Sequence, residues 1–206
     1  MNNHELPPYF DNSFQSIFAN FGLRFAAVLL DGLILAPMTL VALIMNNANL
    51  YNFYYTIPVT SIVTLVYFTY LPVKFGATPG KRILGMTILT TSGNKIDFAD
   101  AFKKYLPQLL LSIIGISCNL VAVQLADSEI YNSGTWLEKS EYLASLNQRM
   151  YYSQMALSYL FMFTNLFVFL SNSRRRSISD LSGNTVVVMD QFLDKVESFK
   201  NPKSSL

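Results

Sequence analysis

Metal-ligating side chains and charge are what this sequence has least of. Among 206 residues there is one cysteine, Cys118, and one histidine, His4. A single cysteine excludes an intrachain disulfide, so redox compartment cannot be read from cysteine usage. A His/Cys zinc site would need carboxylates or a second chain to complete its ligands. Charged residues make up 14% of the chain, against about 25% in an average soluble domain. A net charge of only +2 gives no reason to expect nucleic acid as a partner. No Lys or Arg precedes Arg24, and Glu5 and Asp11 are acidic, so no signal peptide is expected. Catalytic signatures are missing too. There is no Ser/His/Asp arrangement, HExxH motif or dinucleotide fingerprint. The segment Gly76–Ala77–Thr78–Pro79–Gly80–Lys81–Arg82 is not a phosphate loop, because three residues separate its glycines and no Ser or Thr follows the lysine. Neither an enzyme nor a cofactor is expected.

Long apolar runs are what the chain does have. They cover residues 25–45, 53–73, 105–126 and 151–173; the first holds one charge, Asp31, and the others none. Each approaches the ~20 residues that cross a ~30 Å hydrocarbon core as a helix. Pro37, Pro58, Pro72 and Pro107 are compatible with this, since membrane helices tolerate proline. The expected fold is therefore an all-α membrane protein, a four-transmembrane-helix bundle. A short N-terminal interfacial helix and a small cytoplasmic cap with a candidate β-hairpin would complete it. The chain divides into a tail and interfacial helix at 1–21, a membrane domain at 22–190 and a cytoplasmic tail at 191–206.

Phe14, Ile17, Phe18 and Phe21 recur at helical spacing after Asn12 or Ser13 as N-cap. They predict either a helix lying on the membrane surface or an extension of the first span. Phe75–Gly80 reads as a turn-rich loop. A strand is expected over Ile83–Thr90, with Ser92–Gly93–Asn94 as a hairpin turn and Ile96 beginning the return. Asp97 is a candidate N-cap, and Asp100 favours a helix start there. Val186–Val188 reads as a short strand beside the hairpin, and Phe192, Leu193, Val196 and Phe199 as a weak amphipathic helix.

Basic residues set the expected orientation. Lys74, Lys81, Arg82, Lys95, Lys103 and Lys104 lie between the second and third spans, and Arg174, Arg175 and Arg176 follow the fourth. The 127–150 connection has only Lys139 and Arg149 against Asp127, Glu129, Glu138 and Glu141. This bias places both termini in the cytoplasm; a bacterial inner membrane is the expected setting. Lys81, Arg82 and Arg174–Arg176 would then lie near lipid phosphates.

Asp31 is the leading candidate site. An ionised carboxylate at bilayer depth costs roughly 2.5–3.5 kcal/mol on insertion scales, so it needs a cation, a proton or water. Arg24, Lys81, Arg82 and the Arg174–Arg176 run are the candidate partners. Asp31 is then either a proton- or cation-binding group or one half of a structural ion pair. Asp180, pairing with Arg24 or an arginine of its own segment, would complete a charged latch of Arg24, Asp31 and Asp180. Polar residues stripe the uncharged spans: Gln108, Ser112, Gly115 and Asn119; Ser158, Asn165 and Asn172; Thr60, Thr64 and Tyr67. These faces should form interhelical hydrogen bonds or line a polar path ending at Asp31.

Arg24, Ala27 and Asp31 at the start of the first span resemble the opening of the RDD family, named for one arginine and two aspartates. Gly80–Lys81–Arg82–Ile83–Leu84–Gly85 is similar to that family's Gly-Lys segment. Arg175–Arg176–Ser177–Ile178–Ser179–Asp180 with Thr185–Val188 is similar to its closing motif. The resemblance covers roughly residues 20–190. Lys103 and Lys104 stand where the family commonly has an arginine. Ser179 replaces a frequent histidine, and Gly183–Asn184 replaces an Ala-Gly pair. The resemblance implies a multi-span membrane protein for which transport, and cation/proton exchange in some members, has been suggested. The alternative is an accessory subunit of a larger membrane complex, docked through the 127–150 connection with its Trp136 and Tyr142. Expected partners are the lipid bilayer and other membrane subunits or further copies of the chain.

Overall fold

The apolar runs fold as helices longer than the runs themselves. The computed structural model describes residues 5–9 and 16–200. In chain order the elements are α1 (Phe21–Ala48), α2 (Phe53–Phe75), α3 (Pro79–Ile83), β1 (Met86–Thr90), α4 (Phe98–Leu125), α5 (Ser128–Ser133) and α6 (Trp136–Leu146). They continue with α7 (Gln148–Ser171), α8 (Ile178–Ser182), β2 (Thr185–Met189) and α9 (Leu193–Lys200). Single 3-10 turns at Leu50–Asn52 and Asp190–Phe192 lead into α2 and α9. Among the described residues, four helices are long and apolar enough to cross a membrane: α1, α2 with its leading turn, α4 and α7. This is the all-α membrane class that the apolar runs predict. Within the apolar windows of these helices only 6% to 22% of residues are buried by the chain itself. Most of their apolar surface is therefore left for acyl chains or a protein neighbour.

Local chemistry sets the helix ends. The Asn20 side chain accepts the Leu23 N–H at 2.9 Å at the start of α1. Asp97 accepts the Asp100 N–H at 2.8 Å, and Asp100 accepts the Asp97 N–H at 3.3 Å, at the start of α4. Asp127 caps α5, and Thr135 with Glu138 forms a capping box on α6. Pro37 and Pro107 lie inside α1 and α4 and do not end them.

The described residues fall into two compact units. The first takes residues up to Ile34, Val66–Pro107 and those from Thr164 onward. Its centre is the antiparallel pair β1–β2, in register from Met86↔Met189 to Thr90↔Thr185. On the other edge of β2 lies Phe18, bridged to Val188; the Ala19 N–H bonds the Val187 carbonyl at 3.0 Å, and the Met189 N–H bonds the Ile17 carbonyl at 3.1 Å. Val186 and Val188 pack with Leu6, Ile17, Phe18 and Phe192. Val187 packs on the other side with Ala19, Ala27, Met86, Ile88 and Ala101. A strand buried on both faces reads as a continuous apolar run and not as an alternating one.

Three expectations are corrected here. Ile17 and Phe18 are fully buried in extended chain beside β2, and helix begins only at Phe21, so they form no interfacial helix; Phe14 and the proposed caps Asn12 and Ser13 lie outside the described residues. The stretch expected as loop to Gly80 and strand from Ile83 folds instead as the short helix Pro79–Ile83, and the strand opens only at Met86. The hairpin return amounts to one bridge, Leu89↔Lys95, because β1 takes its ladder from β2 about a hundred residues away.

The second unit takes Leu35–Leu65 and Gln108–Phe163. Leu50, Val123 and Tyr131 form its core. The Tyr131 hydroxyl donates to the Asn46 carbonyl at 2.9 Å, and the Leu50 N–H donates to the Asn132 side chain at 3.2 Å. The 127–150 connection is therefore largely helical, with buried side chains of its own.

Candidate functional site: two buried aspartates

Arg24, Ala27 and Asp31 share one face of α1, since residues three and seven apart stack along a helix. Ala27 is fully buried and Asp31 is 3% exposed. The Asp31 carboxylate accepts hydrogen bonds from the Tyr67 hydroxyl (2.6 Å), the Thr78 hydroxyl (2.7 Å) and the Gly80 N–H (2.7 Å). The Lys81 ammonium lies 3.8 Å from Asp31 Oδ2 and donates to Thr78 Oγ1 at 3.2 Å. Three neutral donors and one cation thus surround a buried anion, the arrangement a carboxylate requires when water is excluded. Gly80 is needed for this approach. A Cβ there would sit 2.5 Å from the Ala27 carbonyl oxygen and 2.6 Å from Asp31 Oδ1.

Asp180 is fully buried and opens α8 with a capping box, exchanging hydrogen bonds with Ser177. Arg24 reaches one carboxylate oxygen at 2.5 Å, and Lys104 pairs with the other. Lys104 also donates to Thr185 Oγ1 at 3.3 Å. The Arg24 guanidinium stands 5.0 Å from the centre of the Phe169 ring, a cation–π distance. Gly183 permits the contact with α4: a Cβ there would be 2.7 Å from the Asp100 carbonyl and from Lys104 Cβ.

Burial pushes the Asp180 carboxyl up, but the Lys104 ammonium and the Arg24 guanidinium outweigh it and hold the group well below the usual carboxylate range. Burial, reinforced by the Lys104 charge, lowers Lys81 to about 8 although Asp31 and Asp180 oppose the shift. Lys81 can therefore lose its proton near physiological pH.

The latch expected from Arg24, Asp31 and Asp180 is rearranged. Arg24 pairs with Asp180, whereas the cation beside Asp31 is Lys81. Arg82 turns instead to Asp190 at 3.5 Å, with the arginine largely exposed. Arg174 pairs with Glu5, and Arg175 donates to the Phe18 carbonyl at 3.3 Å. Arg176 is buried and donates to the Asp180 carbonyl (3.3 Å) and the Asn184 side chain (3.2 Å). These arginines tie chain segments together as well as supplying positive charge.

Most residues of the polar stripes bond within their own helices, whereas Tyr67 of α2 donates to Asp31 of α1. Ser112 donates to the Gln108 carbonyl, Asn119 to the Gly115 carbonyl, and Thr60 and Thr64 to carbonyls one turn back. Such bonds satisfy the side chain inside its own helix, so no interhelical hydrogen bond is needed. Ser158 accepts from Gln154, four residues earlier in the same helix. Asn165 does reach another segment, accepting the Ile178 N–H at 3.0 Å.

Sequence reasoning missed Thr78, Ser177 and the pairing role of Lys104. Lys104 stands in the region where the RDD resemblance places an arginine, and Ala101 and Tyr105 mark the buried face it shares. No curated protein and no solved structure matches the chain. A sequence model of the RDD family does match, over residues 18–184, a stretch that includes Arg24, Asp31, Lys81, Lys104 and Asp180. The chain, an integral membrane protein with four apolar helices, belongs to the RDD family.

Proposed function

We propose that this protein is a small transporter that exchanges a proton for a monovalent cation, with Lys81 carrying the proton and Asp31 receiving the cation. The observation that carries this reading is the Asp31–Lys81 pair, a buried carboxylate whose cationic neighbour titrates near pH 8. Loss of the Lys81 proton leaves one uncompensated negative charge on Asp31, and a monovalent cation balances it. Reprotonation of Lys81 releases the cation, so the exchange is one for one. Tyr67, Thr78 and the Gly80 N–H hold the carboxylate in both states. Ionisable groups at bilayer depth commonly mark proton and ion pathways. The basic excess in the α2–α4 connection and at Arg174–Arg176 supports a cytoplasmic position for both termini, in a bacterial inner membrane.

Cation-driven proton movement in proteoliposomes tests the proposal. Flux should rise as pH climbs through about 8. It should vanish in Asp31→Asn, and Lys81→Met should lose the pH step, while both variants elute as the wild type does in size exclusion. Unchanged flux in Asp31→Asn overturns the proposal. A second reading, an accessory subunit without transport, is favoured by the exposed Trp136 and Leu137 on α6. Extraction from the native membrane in mild detergent separates the two: a partner retained at fixed stoichiometry supports the subunit.

A further inference from the structure

The second unit holds a cavity of about 270 Å³ that the Asp31 site does not use. Its lining includes Asn46, Asn47, Asn119, Trp136, Lys139 and Gln154. A water occupies about 30 Å³ in the liquid, so this space takes a small organic molecule and not merely one ordered water. Two side chains in it are chemically incomplete. Lys139 is only 9% exposed, yet among the described residues no carboxylate lies within ion-pair distance of it. Its ammonium donates to the Asn47 carbonyl at 2.7 Å and stands 5.3 Å from the centre of the Tyr131 ring. That accounts for one of its three N–H donors. By contrast, Lys81, Lys104 and Arg24 in the first unit each face an aspartate. Of the acids in this connection, Asp127 caps α5 and Glu138 caps α6, while Glu129 and Glu141 form no ion pair with Lys139 among the described residues. The second incomplete group is Asn47, whose side-chain oxygen is buried and has no donor among the described residues.

A buried cation without an anion and a buried acceptor without a donor are each costly alone. One ligand completes both. We propose that this cavity binds a small organic anion, its carboxylate or phosphate on Lys139 and a neighbouring hydroxyl or amine donating to Asn47. The face of Trp136 offers apolar contact to the rest of the molecule. A free metabolite and a lipid headgroup can both present that chemistry, and the test distinguishes them.

The full-length protein would be purified in mild detergent and its unfolding midpoint followed with serine or glycerol 3-phosphate added. In a parallel arm it would be placed in nanodiscs with and without phosphatidylglycerol. A saturable upward shift with a soluble probe supports a metabolite site, and a shift only with the anionic lipid supports a headgroup site. In either case Lys139→Met should weaken binding about tenfold or more, as expected for losing a charge-assisted contact. Asn47→Leu guards against a merely structural role for the lysine. It leaves Lys139 and its backbone contact in place, so it should keep the unliganded midpoint yet lose the response to ligand. No response to any probe, or responses unaltered in both variants, overturns the proposal.

Discussion

Replacing Asp180 by Asn tests the central electrostatic claim most directly. The amide keeps the shape and can still accept a hydrogen bond from Ser177, so helix α8 retains part of its cap. What it loses is charge. Arg24 and Lys104, both mostly buried, then face no anion at Asp180. Arg24 already has two buried nitrogens without partners, so it has no spare contact on which to fall back. Removing one partner of a buried pair typically costs about 3–5 kcal/mol, because the remaining charge stays desolvated. Here two cations share the loss, which places Asp180→Asn at the upper end of that range. Many domains are stable by only about 5–15 kcal/mol, so the effect is large. Reversible unfolding by SDS titration in mixed micelles would measure it. A second substitution separates charge from packing: adding Lys104→Met to Asp180→Asn should recover part of the loss, a positive coupling in a double-mutant cycle. A cost below about 1 kcal/mol, the scale of an exposed ion pair, would refute the reasoning.

Other outcomes follow from the same contacts. Exchanging the charges of Arg24 and Asp180 together should fail to restore stability, because the transplanted arginine would meet Lys104; full rescue in the unfolding titration would exclude Lys104 from the pair. Gly80→Ala should destabilise strongly, since its Cβ would meet the Ala27 carbonyl and Asp31 at under 3 Å, whereas Gly32→Ala has open space and should be stabilising by up to about 1 kcal/mol through helix propensity; equal effects would contradict the close packing at Gly80. Because the folded-state carboxyl of Asp180 is depressed, its stabilisation is fully present above the ordinary carboxylate value and is lost as pH falls below about 4. A midpoint insensitive to acid in the wild type, or equally sensitive in Asp180→Asn, would count against that assignment.

The spans were legible because burying or lipid-facing ~20 apolar residues leaves an unmistakable run. Partner choice was harder to read. Arg24 and Asp31 share a face of α1 but are about two turns, roughly 10 Å, apart along the axis. One cation cannot serve Asp31 and Asp180 equally from there, and Asp180 takes Arg24. Lys103 and Lys104 look alike in sequence, yet adjacent helix positions point about 100° apart. Ala101 and Tyr105 are the buried positions; Lys104 points about 60° from Ala101, whereas Lys103 points about 160° from both. Ile17 and Phe18 misled because two apolar residues at helical spacing from Phe14 and Phe21 also suit an extended segment laid against β2. Only the β2 edge, supplied by residues far along the chain, decides between them. Lys139 read only as a charge of the 127–150 connection, because nothing nearby in sequence reveals that it is buried against the Tyr131 ring and the Asn47 carbonyl.

The two aspartates that define the site differ in a way that bears on their roles. Asp180 is held by two cations and by the cap of its own helix, and its carboxyl stays ionised far into acid. Neutralising one cation would still leave the other, so Asp180 acts as a fixed tie between α1, α4 and α8. Asp31 has one cation and three neutral donors, and that cation is a lysine whose proton is lost at about pH 8. Its cradle can persist while its charge balance changes, which is the property an exchange site requires and a structural tie does not. Lys81→Arg discriminates between these roles. A guanidinium keeps the positive charge but does not lose its proton at any accessible pH. If Lys81 serves only to neutralise Asp31, the arginine variant should retain both fold and flux. If proton loss is the working step, it should keep the fold and abolish flux at every pH, and retained flux with a normal pH profile would remove Lys81 from the mechanism.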